Sequence, residues 1–201
     1  MKQGTDEWKT ARLGKVTASR MDDLLAKTKT GFGAGRANYM AQLIAERLTG
    51  SVAEGFTNAA MAWGTEQEDT ARAAYEFYSN ASVVETGFVI HPSIKDSGAS
   101  PDGLVGESGL VEIKCPNTAT HIDTLLSGSI PGKYVKQMQW QMICTSRQWC
   151  DFVSYDPRMP ENLSLFVKRI VIDKDEASRM EKEVLFFLTE LGEKLERLKA
   201  L

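Results

Sequence analysis

The chain is poor in the residues that most often hold metals or crosslinks. Its three cysteines, Cys115, Cys144 and Cys150, are odd in number and have no C-x-x-C spacing. That excludes a disulfide framework and a zinc ribbon, and three cysteines cannot supply the four ligands of an iron–sulfur cluster. They read as small packing residues in a reducing compartment. Only two histidines occur, His91 and His121, which removes H-E-x-x-H chemistry and most zinc sites, so any metal must be held by carboxylates. No apolar run approaches the roughly 18 residues of a membrane span, and the start MKQGTDEWK lacks a signal-peptide core, so a cytoplasmic protein is expected. Excess charge is missing too. Lys plus Arg is 24 against 27 for Asp plus Glu, a net charge of −3, which excludes attachment to DNA by bulk positive charge. A nucleic-acid enzyme remains compatible with it, because a site of carboxylates adds negative charge while phosphate contacts need only a local basic surface.

What is present is 201 residues, 42% hydrophobic and 25% charged, without repeats or long linkers, so one α/β domain over 1–201 is expected. The first part, about 5–80, reads as helical. Thr17 or Ser19 can cap a helix through Leu25. Tyr39, Leu43, Ile44 and Leu48 form a stripe ending before Gly50, and a longer helix runs from about Ala59 to Tyr78 with Met61, Trp63, Ala74, Tyr75 and Phe77 available for core contacts. Then the period shortens. Val83-Val84, Phe88–Ile90, Gly103–Val105 and Leu110–Ile113 read as strands of a meander. Helices are predicted around Thr118–Ser127 and Lys133–Thr145, strands near Trp149–Tyr155 and Leu163–Ile172, and a closing helix over about 174–199 with Met180, Val184, Phe187, Leu188, Leu191, Leu195 and Leu198 near one face. Trp140 and Trp149 read as core. The glycine-rich stretch 31–35 lacks a preceding strand and a Gly-Lys-Ser/Thr ending, so it reads as a mobile loop whose flanking Lys27, Lys29 and Arg36 could touch a nucleic-acid backbone.

The chemistry-bearing segment is Ser100-Pro101-Asp102-Gly103-Leu104 followed by Leu110-Val111-Glu112-Ile113-Lys114-Cys115-Pro116. In a strand, Glu112 and Lys114 share one face while Val111 and Ile113 take the other. The turn Gly106–Gly109 can fold the two strands into a hairpin that brings Asp102 to Glu112. Two adjacent carboxylates resist joint ionisation unless a cation lies between them, and an oxygen-only donor set selects a hard ion. An acid two residues before a lysine also occurs at Glu7-Trp8-Lys9, so the triplet alone carries no weight. On the residues alone, a solvated, salt-bridged hairpin stays open as the alternative.

These words resemble the core of the PD-(D/E)xK nucleases. Around them, Trp8 with Arg12-Leu13-Gly14, Thr17-Ala18-Ser19, Ala62-Trp63-Gly64 with Glu68, Gln137-Met138-Gln139 and Tyr155-Asp156-Pro157-Arg158-Met159 follow the order of one branch, the lambda-phage-type exonucleases or YqaJ-like viral recombinases. The resemblance spans about 5–175. It implies a restriction-endonuclease-like core over about 59–172, with a mixed central sheet flanked by helices. It implies Mg²⁺ or Mn²⁺, two ions per site, on Asp102, Glu112, Glu68 and the Ile113 carbonyl, and Lys114 orienting the attacking water. Arg12, Ser19, Ser100 and Gln137 resemble a pocket for a terminal 5′ phosphate, and Met61 an apolar wedge at the last base pair. Taken singly, Ser19 could equally cap a helix, Gln137 could be a solvated helix position, and Met61 could pack on Trp63.

The implied activity is 5′→3′ digestion of one strand of double-stranded DNA from its ends to mononucleotides. That leaves a 3′ single strand for a single-strand annealing protein in recombination, and the resemblance further implies a homotrimeric ring and no membrane. An endonuclease on the same core and a silent DNA-end-binding protein are the rival readings.

Overall fold

A computed structural model describes residues 1–29, 31–52 and 59–201, with side chains described from residue 62 onward in the last segment. In chain order the helices and strands are α1 (Asp6–Arg12), β1 (Val16–Thr17), α2 (Met21–Leu24), β2 (Lys27–Thr28), β3 (Gly31–Phe32), α3 (Ala34–Thr49), α4 (Ala59–Ser79), β4 (Val83–Val84), β5 (Val89–Ile90), β6 (Ser97–Ala99), β7 (Gly103–Val105), β8 (Gly109–Lys114), α5 (Thr118–Ser127), α6 (Gly132–Thr145), β9 (Trp149–Tyr155), β10 (Leu165–Val171) and α7 (Lys174–Lys199). Short 3₁₀ turns at Ala18–Arg20 and Glu161–Leu163 complete the set. The architecture is mixed α/β, as expected, and no described helix is long and apolar enough to cross a membrane.

The main sheet has the order β10-β9-β8-β7-β4. β7 and β8 are antiparallel, with Gly103 opposite Val111 and Val105 opposite Gly109, while β8 and β9 run parallel. A parallel neighbour needs a crossover, and α5 with α6 supplies it. A smaller sheet, β1-β6-β5, joins the N-terminal segment to the start of the hairpin. Both faces of β8 are covered. Val111 and Ile113 pack with Ala71, Tyr75, Val153 and Tyr155 beneath α4, and Leu110 packs with Met138, Met142, Cys150 and Phe152 beneath α6. The face carrying Glu112 therefore lies under α6, with Glu112 buried and Lys114 at the strand end partly exposed, which differs from the solvated hairpin left open on the residues alone. A third core joins α2, α3 and α7 around Tyr39, Trp140 and Phe187.

Several local expectations change once tertiary contacts are present. Residues 18–24 form a 3₁₀ turn and a one-turn helix, and the Thr17 side chain makes no capping bond. The glycine-rich segment is a small hairpin, β2 with β3, leading into α3; its Thr30 lies outside the described residues. Arg36 is no mobile contact. It is 3% exposed, reaches Glu190 of α7 at 3.1 Å, and lies 4.0 Å over the Phe32 ring, because α3 packs directly on α7. Phe77, expected in the core, is 92% exposed, and Leu48 and Leu198 also face solvent. Trp140 is buried, whereas Trp149 is half-buried beneath the Arg169 guanidinium at 3.5 Å. All three cysteines are free.

Candidate active site

Asp102 stands just before β7. One step past the Gly103–Val111 pair, it lies opposite Glu112 in β8. Its Oδ2 accepts a 2.6 Å hydrogen bond from the Ile113 backbone N–H, which closes the open end of the hairpin and fixes the carboxylate there. The sequence reading of a hairpin joining these two acids holds because the Gly106 turn, with φ +53°, lets the strands reverse over a few residues. Glu68 comes from α4 and shares with Asp102 an open cleft of about 620 Å³, also lined by Trp8, Thr65 and Arg72. Gly64, one turn before Glu68, faces the Cys115 carbonyl at the end of β8.

Glu112 is fully buried and fully engaged. Its Oε1 is paired with the Lys114 ammonium and accepts a 2.5 Å bond from Gln137 Nε2; its Oε2 accepts a 2.5 Å bond from Gln141 Nε2. Lys114 also lies 5.4 Å from the Tyr134 ring centroid. Tyr134, Gln137 and Gln141 are spaced three and four residues apart on α6, so one helical face looks onto β8.

Unbalanced charge accumulates here. Burial pushes the Asp102 carboxyl well above the usual carboxylate range, and Glu112 and Glu68 push it further. Glu68 is likewise raised, first by burial, with Arg72 and Lys114 opposing. Burial pulls the Lys114 ammonium down, but Glu112 and Asp102 more than offset it, and the lysine is held protonated above its ordinary value. Such a set suits a hard cation chemically, since its donors are oxygens and two of its acids, Asp102 and Glu68, are held above their ordinary range by burial and by neighbouring carboxylates. Among the described residues no three His, Cys, Asp or Glu side chains converge as a metal cluster, and Glu112 is turned onto lysine and amides.

The second group lies alongside. Arg12 sits 4.1 Å over the Trp8 ring, one helical turn away on α1. Both residues donate to the same oxygen, with Ser100 Oγ accepting from Trp8 Nε1 at 2.9 Å and from Arg12 Nη1 at 3.2 Å. Burial lowers the Arg12 pKa, with Tyr39 and Glu46 opposing, so this guanidinium is short of solvation. Arg12 and the exposed Ser19 line a cavity of about 210 Å³ with Lys15, Thr17 and Arg20. Trp8 lines both this cavity and the carboxylate cleft.

The structure thus gathers Asp102, Glu112, Lys114 and Glu68 in one place and Arg12, Ser19 and Ser100 in another. Gln137 stands with the first group, on Glu112, rather than with Arg12. The Met61 side chain lies outside the described residues, so neither the wedge nor packing on Trp63 has a described counterpart. Sequence reasoning missed Gln141. The available signal was an amide between Trp140 and Met142, four residues after Gln137, in a stretch otherwise bound for the core.

The sequence signature of the YqaJ-like viral recombinase domain matches residues 7–148. The chain is similar to LHK-Exo, an alkaline exonuclease from Laribacter hongkongensis, with 53% identity over 98% of this chain and 97% of that one. TM-scores are 0.92 to a crystal structure of LHK-Exo with dAMP and 0.91 to another. A phage-related exonuclease from Haemophilus somnus is 14% identical, with a TM-score of 0.73 over 92% of this chain and 96% of that chain, a likeness of fold alone. No curated protein sequence matches. The fold is that of the PD-(D/E)xK-like exonucleases.

Proposed function

The chain belongs to the YqaJ-like viral recombinase family, and from that membership we propose that it is a divalent-metal-dependent 5′→3′ exonuclease on double-stranded DNA ends. A nuclease is what its similarity to the Laribacter hongkongensis alkaline exonuclease supports directly. The observation that carries the finer reading is the adjacency of two chemically different sites. A desolvated arginine cavity and a cleft of carboxylates share the Trp8 side chain as a common wall.

In this reading Asp102, Glu112, Glu68 and the Ile113 carbonyl hold Mg²⁺ or Mn²⁺, two ions per site. When bound, the ions would supply activation of the attacking water and neutralisation of charge on the scissile phosphate and the departing 3′ oxygen. Lys114 and Gln137 both contact Glu112 Oε1, and they would have to yield that oxygen for Glu112 to serve as a ligand there. Lys114, whose ammonium Glu112 and Asp102 hold above its ordinary value, places a positive charge beside the water; it stabilises a hydroxide-like nucleophile and the charge that develops on phosphate. Arg12, with Ser19 and Ser100, binds the terminal 5′ phosphate and sets the strand in register. Each cut leaves a new 5′ phosphate, which enters the same cavity. Gln137 reaches the strand only by leaving Glu112, and Met61 serves as the wedge.

The same reading makes the chain a single exonuclease domain of the host-cell cytoplasm that forms a homotrimeric ring and passes 3′ single strands to an annealing protein. The ring is what the resemblance to the lambda-phage-type exonucleases implies, and the exposed Phe77 and Leu126 are apolar surface that subunit contact could cover.

The test is a closed circular duplex beside the same duplex linearised, each with Mg²⁺ and with a chelator. Consumption of linear DNA alone, only with Mg²⁺, is expected. Cutting of the circle would instead make it an endonuclease, and no cleavage of either would make it a silent end-binding protein.

A further inference from the structure

Gln141 is fully buried, and its Oε1 has no hydrogen-bond partner among the described residues. A buried unpaired acceptor costs about 1–3 kcal/mol. The fold tolerates that cost while spending the other end of the amide on a single contact, Nε2 to Glu112 Oε2. Two residues earlier on the same helix, Gln139 is also buried, yet both ends of its amide are matched to backbone. Its Nε2 donates to the Val171 carbonyl at 3.0 Å, and its Oε1 accepts from the Asp173 N–H at 3.0 Å. Gln139 is therefore an ordinary structural amide. Gln141 is not, and its one partner is a carboxylate of the active site.

The two oxygens of Glu112 differ in surroundings. Oε2 meets the fully buried Gln141, while Oε1 meets Gln137 and Lys114, both partly exposed. We propose that Gln141 is a positioning residue that pins Glu112 by its inner oxygen, so that the carboxylate presents only Oε1 to a divalent cation. Without that amide, Oε2 would be a buried oxygen with no donor, and Glu112 would be free to rotate, which weakens it as a ligand. The inference rests on the metal-dependent reading above and adds to it a residue that does not itself touch metal or substrate.

The experiment measures Mn²⁺ binding to the full-length, DNA-free protein by electron paramagnetic resonance or titration calorimetry. It compares wild type, Gln141→Met, which keeps the volume without the donor, and Gln139→Met as the structural control. Gln141→Met is expected to weaken Mn²⁺ about tenfold or more. Gln139→Met is expected to lower the melting temperature while leaving Mn²⁺ affinity within about twofold. Unchanged affinity in Gln141→Met would overturn the proposal, as would equal weakening by both variants, which would mean general loosening of α6. If Gln141→Met does not fold, Gln141→Asn, one methylene too short to reach Glu112, replaces it with the same expectations. A wild-type protein that binds no Mn²⁺ would overturn the metal-dependent reading and this inference together, an outcome distinct from binding that ignores position 141.

Discussion

Asp102 and Ile113 are joined by a hydrogen bond from the backbone of one hairpin strand to the carboxylate at the entrance of the other. That bond holds Asp102 against Glu112 although the two acids repel, and it leaves Asp102 with burial and charge that nothing nearby fully offsets. Glu112 is in the opposite condition, bound to a lysine and two amides. The two acids should therefore respond differently to removal.

Asp102→Asn keeps an acceptor for the Ile113 N–H and removes a buried charge, so the variant should lose cleavage and yet unfold no earlier than wild type in chelator. Glu112→Ala also loses cleavage, but it strands the Lys114 ammonium and both glutamine amides, and breaking a buried pair from one side costs about 3–5 kcal/mol. Thermal melts and cleavage rates on both variants check this. Equal stability of the two would contradict the assigned partnerships.

Lys114→Met should lower turnover about 10²–10³-fold at saturating Mg²⁺, the range for loss of one aligned charge donor. Glu112 keeps Gln137 and Gln141 in the variant but loses its ion-pair partner, so the protein should fold with a lowered melting temperature, and turnover is compared well below it. Because Lys114 is held protonated by Glu112 and Asp102, a basic limb in the wild-type pH–rate profile near neutrality should not arise from it. The check is the profile with and without the lysine; a limb that vanished with Lys114 would assign it as the base.

Arg12→Ala should erase most of the preference for 5′-phosphorylated over 5′-hydroxyl duplex, a loss of about 2–3 kcal/mol for a charged hydrogen bond in a partly dry cavity. Lys114 variants should slow both substrates alike. Initial rates on the two duplexes decide it, and a preference unchanged in Arg12→Ala would remove Arg12 from phosphate binding.

Acid stability should depend on Asp156. Burial alone would push its carboxyl up, but hydrogen bonds from Arg158 and Thr118 outweigh that and bring it down to about 2. A depressed carboxyl stabilises the fold above the unfolded pKa of about 4 and loses that contribution as pH falls toward the folded value. Melting temperature measured between about pH 5 and 2 should fall less steeply in Asp156→Asn than in wild type, the variant being the less stable of the two at pH 7.

The sequence was most readable where structure is local. The closing helix and the strand at Trp149–Tyr155 match the spans expected from periodicity, and the Asp102–Glu112 hairpin follows from two short strands and a glycine turn. What could not be read depends on distant partners. β6 is three residues long and exists because β1 and β5 flank it, one of them from 81 positions away. Arg36 looked like a loop cation until α7 came to lie on it. Gln137 and Gln141 meet Glu112 only when α6 folds back over β8, a contact that no spacing within either segment encodes.

The most direct test of the central claim is a linear duplex bearing one label at a 5′-phosphorylated terminus and a different label at the 3′ terminus of the same strand, digested with Mg²⁺ under single-turnover conditions. The account predicts early release of the 5′ label as a mononucleotide, with the 3′ label still in long strands and no release in chelator. Early release of the 3′ label, or of the 5′ label only within longer fragments, would contradict it.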